Sequence, residues 1–118
     1  MYVDGFLIPV PRNKRAAYTR MARLGKKVWL EHGALDYREC IADDVSWGKW
    51  TSFPRAVKQK KNETVWFSYI VYRNRKHRDA VMKKVMKDKR LAGMMDIKSL
   101  PFDAKRMIFG GFKVVVET

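Results

Sequence analysis

The sequence is poor in the residue types that carry covalent and metal chemistry. Among 118 residues it has one cysteine, two histidines and four prolines. The single Cys40 excludes an intramolecular disulfide, and it becomes a nucleophile only beside a cation or base that lowers its pKa. His32 and His77 occur without a CxxC or HExxH pattern, so no metal site is predicted. There is no GxGxxG or P-loop motif either, and no cofactor is expected.

The sequence also lacks a long hydrophobic run. The longest strand-like apolar stretch, Val65 to Tyr72, is far shorter than the ~20 residues that a membrane helix needs. The residues after Met1 form neither a basic region nor a small-residue cleavage site, so no signal peptide is predicted. The expected location is the bacterial cytoplasm, with no membrane partner.

Acidic residues are scarce, and the basic residues are clustered. The chain has 26 Lys and Arg against 12 Asp and Glu, a formal charge of +14. Seven basic residues lie between Arg12 and Lys27 without any acid, and nine lie between Arg73 and Arg90 with only two acids. Such helices could bind the phosphates of RNA or DNA. They could equally be a solvated surface that keeps an apolar protein soluble.

Apolar residues make up 47% of the chain, enough for one packed domain over residues 1–118. Asn13 is predicted to cap a first helix that ends at Gly33, and Asn74 a second helix. Ser52 is predicted to cap a short helix, and Arg90 to Met95 to add a helical turn. Four segments are predicted to be strands, namely Tyr2 to Val10, Leu35 to Ala42, Glu63 to Arg73 and Arg106 to Glu117. In the last strand, Gly110 and Gly111 indicate a bulge or a close backbone approach.

The order of elements is β-α-β-β-α-β, which predicts an α+β, ferredoxin-like domain with a four-stranded antiparallel sheet. Right-handed crossovers would place strands one and three at the centre and both helices on one face. The strands carry bulky apolar side chains on both faces, so the other face needs a cover. We expect a homodimer, with Val3, Leu7, Phe67 and Phe109, or their alternates, on the covered face.

Ordered motifs run along nearly the whole chain. They are Val3-Asp4-Gly5-Phe6, His32-Gly33-Ala34-Leu35, Glu39-Cys40, Ala42-Asp43-Asp44-Val45, Gly48-Lys49, Thr51-Ser52-Phe53-Pro54, His77-Arg78-Asp79, Pro101-Phe102-Asp103, Lys105-Arg106-Met107-Ile108 and Gly110-Gly111-Phe112. Together these motifs resemble the YbaA-like family of small bacterial proteins. The resemblance implies a dimeric α/β barrel, in which two ferredoxin-like sheets close face to face, and it implies no activity. The basic helices are a departure from the family.

Three polar residues are candidate catalytic groups. Asp4, on a predicted central strand, is either a carboxyl with a raised pKa that serves as a general base or a group near the sheet end that accepts hydrogen bonds from solvent or backbone. Glu39 and Cys40 point to opposite sides of their strand, so one of them faces the interior. His32 either takes part in chemistry or only interacts with the C-terminus of the first helix. His77 is predicted to be a surface or packing residue.

Aromatic residues suggest a binding site. Barrels of the kind that the resemblance implies commonly place small apolar ligands between sheet and helices, and cofactor-independent oxygenases and isomerases use them. Core packing or dimer contacts would explain the same residues. The sequence thus favours binding or conversion of a small apolar or aromatic molecule, with RNA or DNA binding as the alternative. The candidate ligand-binding residues are Trp29, Trp66, Tyr69 and Phe102, and Trp47 and Trp50 belong to the same group.

Overall fold

Strands and helices follow one another in the predicted order along residues 1–94 and 96–118, which a computed structural model describes. The predicted turn from Arg90 to Met95 is confirmed as far as Ala92, while Met95 lies outside the described residues. Short 3-10 turns occupy Arg12–Lys14, Ile97–Ser99 and Ala104–Arg106. The elements are β1 (Tyr2–Pro11), α1 (Arg15–Glu31), β2 (Asp36–Ile41), α2 (Phe53–Ala56), β3 (Glu63–Tyr72), α3 (Arg75–Val85), α4 (Lys89–Ala92) and β4 (Ile108–Lys113).

Side-chain caps begin two of the helices, as predicted. The Asn74 side chain accepts a hydrogen bond from the backbone N–H of His77 at 2.7 Å, and Ser52 accepts one from Arg55 at 3.1 Å. Gly33 follows α1 with a φ of +110°, the left-handed conformation that glycine adopts without strain. These local signals therefore predicted the helix ends correctly.

The start of α1 differs from the prediction. Asn13 is not its N-cap, because Lys14 occupies that position and makes no side-chain capping bond. The reason lies in the sheet: β1 continues to Pro11, and the backbone N–H of Arg12 donates to the Asn62 carbonyl at 2.7 Å. The chain needs the intervening 3-10 turn before it can leave the sheet as a helix.

The four strands form one sheet in the order β2-β3-β1-β4, with antiparallel neighbours throughout, so strands one and three are central as predicted. β4 is shorter than predicted. Its pairing with β1 continues without a bulge through Gly110 and Gly111. A Cβ at Gly111 would lie 2.8 Å from two carbons of the Tyr2 ring, so Gly111 makes room for a side chain rather than for the predicted close backbone approach.

Both long helices pack on one face of the sheet, which we call the helix-covered face and which includes Phe6, Ile8 and Ile70. Val28 of α1 and Val81 of α3 join Ile70 in one buried cluster. Tyr18 of α1 packs with Ile8 in a second cluster. Burial of each such side chain contributes about 1.5–3 kcal/mol. The helices thus cover this face as the crossover rule predicts.

The opposite, open face carries Leu7, Phe67, Tyr69, Ile108 and Phe112. Phe67 is 45% exposed and Phe112 is 64% exposed, although both are large and apolar. Successive strand residues alternate between faces, and directly paired residues share one.

Phe109 is therefore not on the open face, although the sequence analysis named it with Val3, Leu7 and Phe67 for the covered face of the dimer. It pairs with Phe6, and their rings stack at 6.3 Å on the helix-covered face. Its neighbours Ile108 and Phe112 take the open-face positions of β4.

Candidate ligand-binding site

A cavity of about 300 Å³ lies between the helix-covered face, α1 and the segment that follows α3. We call it the chamber. Its wall is almost entirely apolar, because the strands contribute their buried side chains and α1 contributes its inner stripe. Side chains from the sheet, the helix and the later segment line it, among them Phe6, Ile8, Met21, Trp29, Ile70 and Phe102.

Glu39 is the carboxyl group in the chamber wall. Its Oε1 accepts a hydrogen bond from the Tyr18 hydroxyl at 2.8 Å, and its Oε2 accepts one from the Tyr37 hydroxyl at 2.9 Å. Burial raises the pKa of Glu39 above the usual range, and the two tyrosine hydrogen bonds oppose the rise. Burial, and then the charge of Glu39, raises the pKa of both tyrosines. The arrangement is a carboxyl that can exchange a proton while its tyrosine partners stay protonated.

The local sequence explains how this carboxyl is positioned. Tyr37 and Glu39 are two residues apart on β2 and therefore face the same side. A Cβ at position 25 of α1 would lie 2.7 Å from the Tyr37 hydroxyl oxygen, so Gly25 provides the space in which this hydroxyl sits beneath the helix. Tyr18, one of the buried residues of α1, then reaches the other carboxylate oxygen.

Sequence reasoning identified Glu39 but missed Tyr18 and Tyr37 as its partners. The signal was present: alternation places Tyr37 beside Glu39 on β2, and the apolar stripe of α1 contains Tyr18. The prediction that one of Glu39 and Cys40 faces the interior is confirmed, because Glu39 lies in the chamber wall and Cys40 is exposed. Cys40 therefore shares no surface with the carboxyl.

Of the predicted ligand-binding aromatics, the structure brings Trp29 and Phe102 together in the chamber wall. Phe102 packs edge-on against Tyr18 at 5.8 Å. Trp66 does not line the chamber, but its ring packs on the Tyr18 ring at 4.7 Å. Tyr69 does not join them, because it alternates onto the open face.

Trp47 and Trp50 lie in the connection between β2 and β3, away from the chamber lining. Trp47 stacks under the Arg55 guanidinium at 4.9 Å, and Trp50 is 88% exposed. The aromatic residues predicted to bind a ligand therefore do not share one site.

Asp4 is buried on the helix-covered face but does not line the chamber. Its Oδ1 accepts a hydrogen bond from Arg78 Nη1 of α3 at 2.7 Å. Burial raises the pKa of Asp4, and Arg78 opposes the rise. Asp4 is thus paired with Arg78, a partner that neither interpretation from the sequence named. Arg106 binds Glu63.

His32 lies at the C-terminus of α1 and binds another part of the chain. Its Nε2 is 2.8 Å from Asp88 Oδ2. Hydrogen bonds from Arg90 and then from His32 hold the pKa of Asp88 well below its usual range. The three candidate catalytic residues thus have separate partners, and Glu39 is the one that reaches the chamber. His77 accepts a hydrogen bond from the Arg73 backbone N–H.

One further polar atom belongs to a residue of the chamber wall. Among the described residues, the Trp29 indole nitrogen and the Tyr72 hydroxyl are buried without a hydrogen-bond partner of standard geometry. Burial raises the pKa of Tyr72, Asp4 adds to the rise, and Trp29 opposes it.

Within residues 1–94 and 96–118, no group of three or more His, Cys, Asp or Glu side chains is placed to hold a metal ion. No helix in the same part of the chain combines the length and the apolar character needed to cross a bilayer.

The fold and site define an α+β domain with an open four-stranded antiparallel sheet and an apolar chamber under its first helix. The sequence profile of the family described as "Protein of unknown function (DUF1428)" matches residues 1–104. The proteins named "Uncharacterized protein YbaA" from Escherichia coli strain K12 and from Shigella flexneri are each 46% identical to this chain over 116 residues. These matches cover 98% of this chain and 97% of each relative. The chain belongs to this family, and the resemblance drawn from its motifs is confirmed.

Proposed function

We propose that the protein binds a small, mainly apolar molecule in the chamber, with Glu39 as its polar contact. One observation carries the proposal: a single carboxyl, held by two tyrosine hydroxyls, lies in an otherwise apolar wall around about 300 Å³. Ligand sites in proteins typically combine such a wall with a few placed polar groups and begin at about this volume. The ligand class is a molecule with one aromatic ring, or a similar aliphatic body, and one N–H or O–H donor.

The same arrangement supports proton transfer without a cofactor. A half-buried carboxyl with a raised pKa can take a proton from a bound molecule and return it elsewhere. Tyr18 and Tyr37 would hold the carboxyl in place during both steps. Glu39 is thus the proposed acid and base of a cofactor-independent reaction.

A thermal-shift screen with neutral aromatic and aliphatic metabolites tests the binding proposal. A true ligand should raise the melting temperature in proportion to the logarithm of its concentration. Ala104→Leu adds atoms to the chamber wall and should abolish the shift, whereas Ala16→Leu adds the same atoms on the exposed side of α1 and should preserve it. A panel without any stabilising compound, or equal shifts in both variants, would refute the proposal.

We further propose that the subunit has the ferredoxin-like topology and that two subunits close their open faces into a barrel. The support is the exposed apolar surface around Phe67, Ile108 and Phe112. Beside it, Leu7 and Phe53 line a shallow apolar hollow of about 140 Å³. A second copy would cover this surface with a self-complementary interface of roughly 2,000 Å² or more. The basic helices would remain outside, on the helix-covered side.

Light scattering at micromolar concentration tests the dimer. We expect twice the chain mass of 13.9 kDa. Phe67→Lys, on the open face, should shift the protein toward monomer, whereas Met86→Lys, just past the end of α3, should leave the mass unchanged. A folded wild-type monomer at this concentration contradicts the barrel.

Nucleic-acid binding is the second candidate function, and one observation favours it. Of the basic residues between Arg12 and Lys27 and between Arg73 and Arg90, Arg78 and Arg90 form ion pairs in the described part of the chain, and the others do not. Contacts to backbone phosphates would make the affinity fall steeply with salt. Mobility-shift titrations at low and physiological salt should show that fall, and binding that is absent or indifferent to salt argues against this function.

A further inference from the structure

A second concavity lies on the other flank of α1, where the helix passes the free edge of β2. Its volume is about 400 Å³, and we call it the basic groove. It differs from the chamber in its wall, which combines three cations of α1 with apolar and aromatic side chains of the sheet. Its wall includes Arg15, Arg23, Lys26, Tyr37, Ile41 and Trp66.

The three cations of the basic groove share one side of α1. Arg23 follows Arg15 by eight residues and Lys26 follows Arg23 by three, spacings that place side chains on the same helical face. In the part of the chain that the structure describes, none of the three makes an ion pair, since the recorded pairs involve other residues. Three positive charges thus lie on one concave surface, and none of them has an ion-pair partner among the described residues.

The carboxyl in the groove wall forms no ion pair with these cations. Glu39 lines the groove as well as the chamber, and its recorded hydrogen bonds come from Tyr18 and Tyr37. Elsewhere in the protein, cations beside carboxyl groups bind them directly: Arg78 contacts Asp4 at 2.7 Å. The cations of the basic groove therefore remain available to a ligand.

We propose that the basic groove binds a small organic anion, whose carboxylate or phosphate group contacts Arg15, Arg23 and Lys26. Guanidinium groups bind both kinds of anion through paired hydrogen bonds, and a lysine adds a mobile point charge. The apolar part of the ligand lies against Ile41 and Tyr37, which are half-buried in the groove wall. A phosphate could belong to a free small molecule or to a nucleic-acid backbone, and the two sources predict different footprints.

The test is a titration of the ¹⁵N-labelled protein by NMR with four probes. Benzoate carries a ring and a charge, benzamide is its neutral counterpart, inorganic phosphate has no ring, and a short single-stranded DNA represents the polymer. Benzoate should cause saturable shifts at Lys26, Ile41 and the Trp66 indole, which line the groove and not the chamber, benzamide none there, and phosphate smaller ones. Shifts at Phe102 and Met21 would instead report binding in the chamber, so this site and the proposed function fail or succeed separately.

Matched variants on α1 decide the role of the cations. The double variant Arg23→Gln, Lys26→Gln should weaken benzoate binding by roughly tenfold or more, because it removes two charge-assisted contacts. Lys27→Gln removes a charge from the same helix outside the groove and should change the affinity less than twofold. Equal binding of benzoate and benzamide, or equal losses in both variants, would overturn the proposal. DNA-induced shifts spread along α1 and α3, without saturable benzoate binding, would assign the cations to a polymer surface instead.

Discussion

Two glutamates on the sheet have opposite surroundings. Glu63, at the start of β3, binds Arg106 through two hydrogen bonds, Nη1 to Oε1 at 2.7 Å and Nη2 to Oε2 at 2.6 Å, and also accepts the Lys60 backbone N–H. Glu39, on β2, is held by two tyrosine hydroxyls. Arg106 lowers the pKa of Glu63, whereas burial raises the pKa of Glu39.

The difference separates a carboxyl paired with a cation from a carboxyl held by neutral donors. Glu63 meets the permanent charge of Arg106, which favours its ionised form, and the pair joins β3 to the turn before β4. Glu39 meets only neutral donors and faces the chamber and the basic groove. A partly buried carboxyl without a cation costs stability when it is ionised.

The largest expected effect comes from breaking the structural pair. Arg106→Ala leaves Glu63 as a buried charge without its cation and should lower the free energy of unfolding by about 3–5 kcal/mol. Arg38→Ala provides the matched control, because the Arg38–Asp36 pair at 3.1 Å is exposed and such surface pairs contribute little to stability. Urea denaturation measures both. Similar losses in the two variants would show that burial does not distinguish these pairs.

A smaller effect is expected from Gly25→Ala, which disturbs the surroundings of Glu39. The new methyl group displaces the Tyr37 hydroxyl and weakens its bond to Glu39, while alanine favours the helix by about 1 kcal/mol. Since a hydrogen bond to a charged group contributes about 1.5–3 kcal/mol, we expect a net loss of about 1 kcal/mol in urea denaturation.

The Tyr37→Phe background sharpens this experiment. Without the hydroxyl, the nearest Tyr37 ring carbon lies 3.5 Å from the added methyl, an ordinary contact, so the same Gly25→Ala change should become stabilising. A loss of equal size in both backgrounds would contradict the role of Gly25 as the space for that hydroxyl.

The smallest expected effect is on the pH dependence of stability, where the contributions of Glu63 and Glu39 should change in opposite directions. The pKa of Glu63 is lowered on folding, so its contribution is present above the unfolded value of about 4.3 and lost as the pH falls through the folded value. The pKa of Glu39 is raised, so its contribution is present below that unfolded value and lost as the pH rises through the folded value.

Glu63→Gln should therefore harm the protein most at neutral pH, with the difference from wild type shrinking under acid. Relative to wild type, Glu39→Gln should gain stability as the pH rises from about 4 toward neutrality. Free energies of unfolding across this range measure both. A parallel pH dependence in the two variants would mean that the carboxyls do not differ as described.

Much of the fold was predictable because its signals are local. Gly33 ends α1 and Asn74 begins α3, since a left-handed glycine and a capping side chain act within one turn of helix. The start of α1 was mispredicted at Asn13, because a backbone bond from Arg12 to the distant Asn62 decides where β1 ends.

The site was predictable only in part. The sequence marked Glu39, Trp29 and Phe102, which the structure places in one chamber wall. It grouped Tyr69 with them because it identified aromatic residues but not the side of the sheet that each one faces. One residue of register decides that side.

The sequence by itself determined the element order, the caps and the excess of positive charge, because composition and short-range contacts carry that information. Only the tertiary structure decided which polar groups meet. Asp4 with Arg78 and Glu63 with Arg106 join residues that are 74 and 43 positions apart. Such partners are set by strand register and by where a helix crosses the sheet, and both depend on how the whole chain packs.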